Sequence, residues 1–274
     1  MQTQQSKGAA FRQLHERQTA FIIPNPWDVG TAKVLAGLGF EALATTSAGF
    51  AFSIGKRDGA VGRDKMIAHV REIVDATDLP VSADLENGFG DDPQTVAGTI
   101  QLAAAAGLVG GSIEDSTQRK DDPIYEQQLA VDRVRAAVEV ARSLPFPFML
   151  TARCENYLVG RPDLTATIKR LEAYQEVGAD VLYAPGLSSK EDIAAVVRSV
   201  DRPVNVLMGF RGADLSLEEL SAIGVRRVSI GSGLYRAAFG PLLRAAREMR
   251  EHGTFSAIAD EPVSFRDISA MFPP

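Results

Sequence analysis

The chain has 274 residues, 45% of them hydrophobic and 23% charged, with a formal net charge of -6, which supplies one large core at about the length of an α/β barrel, roughly 250 residues. Dispersed charge of net negative sign excludes the clustered basic face of a nucleic-acid binder, and a single cysteine excludes an internal disulfide and suits a reducing compartment. The opening residues hold no apolar signal core and no run approaches the roughly 18 consecutive apolar residues of a membrane span, so a cytoplasmic protein with no membrane partner is expected.

A polar lead-in reads as a short helix, after which residues 20–25 form an apolar run stopped by a proline turn and followed by helical periodicity. The same unit recurs at 41–47, which precedes a glycine-rich stretch and a helix near 63–76, and at 80–86, which precedes a helix near 93–106. Residues 110–115, 148–153, 179–185, 203–208 and 226–233 each lead into further helical pattern, giving eight strands. Apolar strands alternating with amphipathic helices imply a parallel sheet covered by helices, and eight such units close into a barrel. An open doubly wound sheet is the alternative, but the first strand-to-helix turn lacks the glycine fingerprint of a dinucleotide-binding unit. The expectation is therefore an α/β chain with one (β/α)8-barrel domain over 1–274, whose residues 254–274 form a C-terminal helical extension packed on the barrel or exchanged between subunits.

In such a barrel the active site lies at the C-terminal ends of the strands. Strand three ends in Asp84 and Glu86, which alternation along a strand places on one face, and strand four ends in Glu114 and Asp115. Acidic residues at strand ends can simply cap the helices that follow. Several at adjoining ends would repel one another, however, and a hard divalent cation, Mg2+ or Mn2+, resolves that. The turn Asn87-Gly88-Phe89-Gly90 leaves the strand-three carboxylates exposed, whereas Asp115 alternates away from Glu114 and reads as structural. Strand five delivers Arg153, which either pairs with a carboxylate or grips a substrate carboxylate bidentately; the second use is favoured beside a metal. Small residues at Thr45, Thr46, Ser47, Ala48 and Gly49 offer backbone N–H groups to an oxyanion.

Taken in order, Ser47-Ala48-Gly49, Gly55-Lys56-Arg57-Asp58, Asp84-Leu85-Glu86-Asn87-Gly88-Phe89-Gly90, Glu114-Asp115 and Ala152-Arg153 resemble the isocitrate lyase and phosphoenolpyruvate mutase superfamily over about residues 20 to 250. The resemblance implies a magnesium ion held by Asp84, with Asp58, Glu86 and Glu114 acting directly or through water. It also implies that Ser47, Ala48 and Gly49 bind the substrate carboxylate beside Asp84, that Arg153 stabilises a pyruvate-type enolate, and that Asp58 serves catalysis as well as the metal. It suggests further a homo-oligomer, a tetramer or dimer, in which a C-terminal helix is exchanged and Phe255 to Met271 supply it.

Departures from the pattern narrow the chemistry. The lyase subgroups that the chain resembles carry a Lys-Lys/Arg-Cys-Gly-His loop after strand four, whose cysteine gives a proton to the enolate; residues 116–123 here hold neither cysteine nor histidine, and Ser116 and Thr117 are the hydroxyls placed to substitute. Cys154 follows Arg153 and reads as a small buried residue. His15, His69 and His252 read as helix or surface residues, Gly231-Ser232-Gly233 as a tight turn, and Arg211 as a possible anion contact. Tyr183 to Gly186 and Leu207 to Gly209 give the far wall a more apolar character, which suits a smaller substrate.

Decarboxylation of a small 2-oxo diacid such as oxaloacetate needs only a metal and an enolate sink, and it ranks first. Phosphonopyruvate hydrolysis or phosphoenolpyruvate mutation ranks second, and a non-catalytic 2-oxo acid binding protein third.

Overall fold

A computed structural model of the chain describes residues 2–210, 212, 214–259 and 263–272. It opens with α1 (Gln4–Glu16), β1 (Phe21–Ile23), α2 (Val29–Gly37), β2 (Leu43–Ala44), α3 (Ser47–Ser53), α4 (Arg63–Asp75) and β3 (Val81–Asp84). Next come α5 (Pro93–Ala105), β4 (Gly110–Glu114), α6 (Gln127–Ser143), β5 (Met149–Arg153), α7 (Leu164–Glu176), β6 (Val181–Tyr183) and α8 (Lys190–Ser199). The chain ends with β7 (Val204–Leu207), α9 (Leu217–Ala222), β8 (Arg227–Ser229), α10 (Gly233–His252), α11 (Ser256–Ala259) and α12 (Phe265–Ala270).

The eight strands are parallel and ordered β1-β8-β7-β6-β5-β4-β3-β2. Between the two ends of that order the Ala44 N–H donates to Pro24 O at 3.0 Å. Asn25 bridges the same seam, donating to the carbonyls of Ala44 and Thr45 and accepting from the N–H groups of Ile230 and Gly231. The result is a nearly closed (β/α)8 barrel. Among the described residues no helix is long and apolar enough to cross a membrane.

Inside, the barrel is layered. Helix α1 lies across the N-terminal end and drives Phe11 and Leu14 against Phe21, Ile23, Val109, Met149 and Val181. Gly110 makes room for this plug, because a Cβ there would stand 2.8 Å from Phe11 Cε1. The next layer is polar: buried Arg227 donates from Nε to Asn205 Oδ1 at 2.8 Å and from Nη2 to Thr151 Oγ1 at 2.9 Å. Its Nη1 faces His15 Nε2 at 3.4 Å. With His15 Nδ1 2.8 Å from the Phe11 carbonyl, a neutral ring protonated on Nδ1 satisfies both contacts. Burial draws Arg227 down to about 10, and burial and then Arg227 hold His15 down at about 3. His69 is also buried and stacks on Phe50 with ring centroids 3.6 Å apart, whereas His252 is exposed at the end of α10.

Two elements differ from the sequence expectation. Strand β3 stops at Asp84, and Glu86 has left the strand in a left-handed conformation, φ 50°; strand alternation therefore does not bring it beside Asp84. The stretch read as a glycine-rich connection contains helix α3, capped by the Thr46 side chain at the Gly49 N–H.

Candidate active site

A cavity of about 600 Å3 opens at the C-terminal rim of the barrel, lined among others by Ser47, Asp58, Asp84, Glu86, Glu114, Ser116, Gln118, Arg153, Glu155 and Tyr183. None of the acidic residues at the strand ends there caps a helix. The helix caps go to Asp28, Asp92, Glu126 and Asp163 and to Ser189 and Ser216. The site carboxylates are therefore free for other work.

Asp84, the last residue of β3, accepts three hydrogen bonds. Its Oδ2 accepts from Ser47 Oγ at 2.7 Å and from the Ser47 N–H at 3.3 Å, and its Oδ1 accepts from the Glu86 N–H at 3.3 Å. Asp58 enters on the loop after α3, with Oδ1 3.3 Å from Ser47 Oγ and 3.1 Å from the Gly59 N. Glu86 Oε2 accepts from Gln118 Nε2 at 2.9 Å, while its Oε1 is buried without a hydrogen-bond partner. Glu114 ends β4 beside Arg153, its register partner on β5.

Arg153 is the cation around which these groups gather. Its Nη1 lies 3.3 Å from Glu114 Oε2 and 3.6 Å from Asp84 Oδ1, and its Nε contacts Glu155 Oε1. One guanidinium does not offset so many carboxylates. Burial pushes Glu86 up to about 7 against the Gln118 hydrogen bond, with Asp84 and Asp58 adding to the rise. Burial likewise raises Glu114 and Glu155, Arg153 opposing in both.

The donor set fits a hard divalent cation, since every candidate atom is a carboxylate oxygen, the local charge is negative and Glu86 Oε1 lacks a partner. The expected ligand set Asp58, Asp84, Glu86 and Glu114 is not assembled in advance, however. Among the described residues no three acidic, histidine or cysteine side chains converge as a cation cage, and Arg153 stands between Asp84 and Glu114.

Other expectations meet the structure unevenly. Ser47 and Ala48 line the cavity, but the Ser47 N–H is taken by Asp84. Gly49 does not line it: its N–H donates to Thr46 Oγ1 at 3.2 Å, and a Cβ there would sit 2.6 Å from Thr46 Cγ2 and 3.2 Å from Trp27 Cβ. Packing, rather than oxyanion binding, is what requires glycine at that position. Ser116 lines the cavity, its Oγ accepting the Gln118 N–H at 3.2 Å, whereas the Thr117 hydroxyl turns back to the Asp122 carbonyl. Asp115 is buried behind the rim, accepting from Tyr174 Oη at 2.6 Å, Arg170 Nη1 at 3.2 Å and the Glu155 N–H at 2.8 Å. Cys154 is also buried. Arg211 lies outside the described residues.

Sequence reasoning missed Glu155, Gln118 and Tyr183. Glu155 repeats at β5 the Asp84–Glu86 spacing of two, a signal that was available. The far wall is less apolar than expected, because Tyr183 and Ser232 stand in it beside Leu158, Val159 and Leu207. Burial pushes the Tyr183 phenol up to about 12, Arg153 opposing.

Comparison with known proteins places this geometry among relatives. The family model described as phosphoenolpyruvate phosphomutase matches residues 11–250. An uncharacterised protein of Mycobacterium tuberculosis is 32% identical, the match covering 88% of this chain and 89% of that protein. Among solved structures, a candidate lyase/mutase of Burkholderia cenocepacia superposes with a TM-score of 0.94 at 61% identity, covering 97% of this chain and 95% of that one. An oxaloacetate acetylhydrolase in complex with its product oxalate superposes with a TM-score of 0.85 at 26% identity, covering 97% and 93%.

Proposed function

Because this chain belongs to the phosphoenolpyruvate phosphomutase family, within the isocitrate lyase and phosphoenolpyruvate mutase superfamily, we propose that it is a metal-dependent lyase that breaks a carbon–carbon bond of a small 2-oxo diacid, decarboxylation of oxaloacetate being the preferred reaction. The observation that carries this reading is the ring of carboxylates around Arg153 with Glu86 Oε1 left unpartnered. Asp84 would hold Mg2+ or Mn2+, with Asp58, Glu86 and Glu114 contributing directly or through water. Such a cation draws electron density from the 2-oxo group and so stabilises the enolate formed when the neighbouring bond breaks.

The remaining steps fall to the chain itself. Ala48, at the start of α3, binds the substrate carboxylate, joined by Ser47 once Asp84, which holds both Ser47 donors here, turns to the metal. Arg153 pairs with developing negative charge on the enolate oxygen, in a cavity whose low dielectric strengthens that interaction. Ser116 and Gln118 close the loop side. A retro-aldol cleavage needs a base to take a hydroxyl proton before the bond breaks; loss of carbon dioxide does not. A loop without cysteine or histidine suits the second. The protein acts in the cytoplasm as a homo-oligomer.

The test is carbon dioxide and pyruvate release from oxaloacetate by magnesium-loaded protein, beside free magnesium and an Asp84→Ala variant. Release above free metal and lost in the variant is the expected result, and rates equal to free metal end the proposal. One observation favours carbon–phosphorus chemistry on phosphonopyruvate as the second reading. Gly231 and Ser232 line the cavity at the start of the 20-residue helix α10, and the Ser232 side chain makes no capping hydrogen bond, an arrangement suited to phosphoryl oxygens. Phosphate release from phosphonopyruvate would identify it.

A further inference from the structure

The cavity wall beside the acidic ring carries a proton donor. Tyr183 is the register partner of Arg153 and shares its inward face, with Arg153 Cζ 5.4 Å from the phenol ring centroid. The residue is 8% exposed and lines both the active-site cavity and a second cavity of about 60 Å3 inside the barrel. It therefore stands at the floor of the site, between substrate space and the polar barrel layer.

A directed chain of hydrogen bonds runs through the residues behind it. Arg227 has no acceptor atoms, so its Nε–H at 2.8 Å fixes Asn205 Oδ1 toward it and turns Asn205 Nδ2 to Ser229 Oγ at 2.9 Å. Ser229, held in this way, lines the same small cavity as Tyr183, Asn205 and Arg227, and its hydroxyl acts on the Tyr183 phenol against the effect of burial. On its other side Tyr183 lines the active-site cavity, where its hydroxyl can meet substrate.

The donors within the acidic ring are committed. The Ser47 hydroxyl is held by Asp84 at 2.7 Å, and the Arg153 Nε and Nη1 groups face Glu155, Glu114 and Asp84. We propose that Tyr183 is the catalytic acid that protonates the third carbon of the enolate, with Arg227, Asn205 and Ser229 as positioning residues that aim it. In that step the enolate's carbon–carbon double-bond pair forms the new C–H bond, the Tyr183 O–H bond breaks, and the phenolate regains a proton from water. The inference rests on the enolate reading above, and it names an acid outside the loop after β4, which holds neither cysteine nor histidine.

The experiment uses pyruvate, which reaches the same enolate without carbon–carbon cleavage. Magnesium-loaded protein is incubated with pyruvate in D2O, and loss of the methyl proton signal is followed by NMR. Oxalate binding, measured by calorimetry on the same samples, reports whether the site is intact. Wild type is expected to exchange above the protein-free rate, and Tyr183→Phe to lose about a hundredfold or more of that exchange, the range of general acid–base catalysis, while still binding oxalate. Ser229→Ala keeps the phenol but not its aim, and is expected to fall between the two.

Exchange in Tyr183→Phe at the wild-type rate overturns the assignment. So does loss of oxalate binding together with exchange, which marks a structural role, and so does absence of exchange in wild type. Wild-type exchange lost in Tyr183→Phe, without carbon dioxide release from oxaloacetate, removes the decarboxylase reading and leaves Tyr183 standing. Decarboxylation with unchanged exchange in the variant does the reverse.

Discussion

Arg153 is held from two sides. Glu155 contacts its Nε, and Glu155 is itself fixed by the hydrogen bond of its N–H to Asp115, which Tyr174 and Arg170 anchor. A guanidinium meets these partners with a planar fork that an ammonium lacks. Arg153→Lys therefore keeps the charge and loses the geometry, and kcat/KM for oxaloacetate is expected to fall about a hundredfold, the scale of a lost oxyanion donor. Steady-state kinetics beside thermal unfolding separates this from a loss of fold. At the opposite end of the barrel, His15 is neutral because burial and Arg227 hold it at about 3 against its ordinary 6.5. The unfolded chain takes up this proton below about 6.5 and the folded chain does not until about 3. Its contribution to stability is thus complete above pH 6.5 and declines as pH falls toward 3, by about 1.4 kcal/mol per pH unit inside that window. Urea unfolding at pH 7, 6 and 5 is expected to show wild type losing its advantage over His15→Gln step by step; a gap independent of pH would show that the ring is not held neutral.

Barrel strands here are two to five residues long, and what they place depends on packing at both ends. At the N-terminal end, Gly110 admits Phe11. A Cβ there meets Phe11 Cε1 at 2.8 Å, Met149 O at 3.0 Å and Ser82 Oγ at 3.1 Å, two of them atoms with little freedom to move. Gly110→Ala is expected to destabilise by about 1–3 kcal/mol through overpacking, with Phe11→Leu in the same chain recovering part of the loss, as chemical denaturation would report. At the C-terminal end the sequence was legible where regular alternation governed. Eight apolar runs separated by helical patterns give the strands, and parallel strands bring Asp84, Glu114 and Arg153 to one rim. It was less legible where the backbone leaves regular structure. Glu86 and Gln118 meet at 2.9 Å because both non-glycine residues adopt positive φ, 50° and 60°, which neither residue type announces. Gly49 shows the opposite failure: a glycine beside the site suggested anion binding, but crowding by Thr46 and Trp27 explains it. Tyr183 was read as part of an apolar far wall, because its polar surroundings are visible only once the barrel brings Arg153, Ser229 and Asn205 around it.

Over the whole molecule, exposed apolar area is concentrated near the C-terminus. Leu242 and Leu243 on α10 are exposed, as are Phe255, Ile258, Ile268 and Met271 beyond it, and Phe265 is 87% exposed. The arm is nonetheless tied down at its start. Glu248 accepts from Ser256 N at 2.9 Å, Ser256 Oγ at 2.6 Å and Ala257 N at 2.7 Å, so α11 is set against α10 rather than trailing from it. An ordered helical arm with so much apolar surface in water forgoes the stabilisation that burial gives, about 25 cal/mol per Å2, and such patches mark association surfaces. In the proposed homo-oligomer a second copy of the chain would receive this arm against its own barrel and cover that surface. Full-length protein is expected to sediment as a homo-oligomer, and a chain ending at Gly253 as a smaller species with its helical content otherwise kept. Phe265→Glu in the full chain tests the same surface with one side chain, by placing an unpaired charge in the interface. If full-length protein is a monomer at micromolar concentration, the exchanged arm is excluded; if only the truncated and Phe265→Glu chains are smaller, residues 254–272 are what hold the copies together.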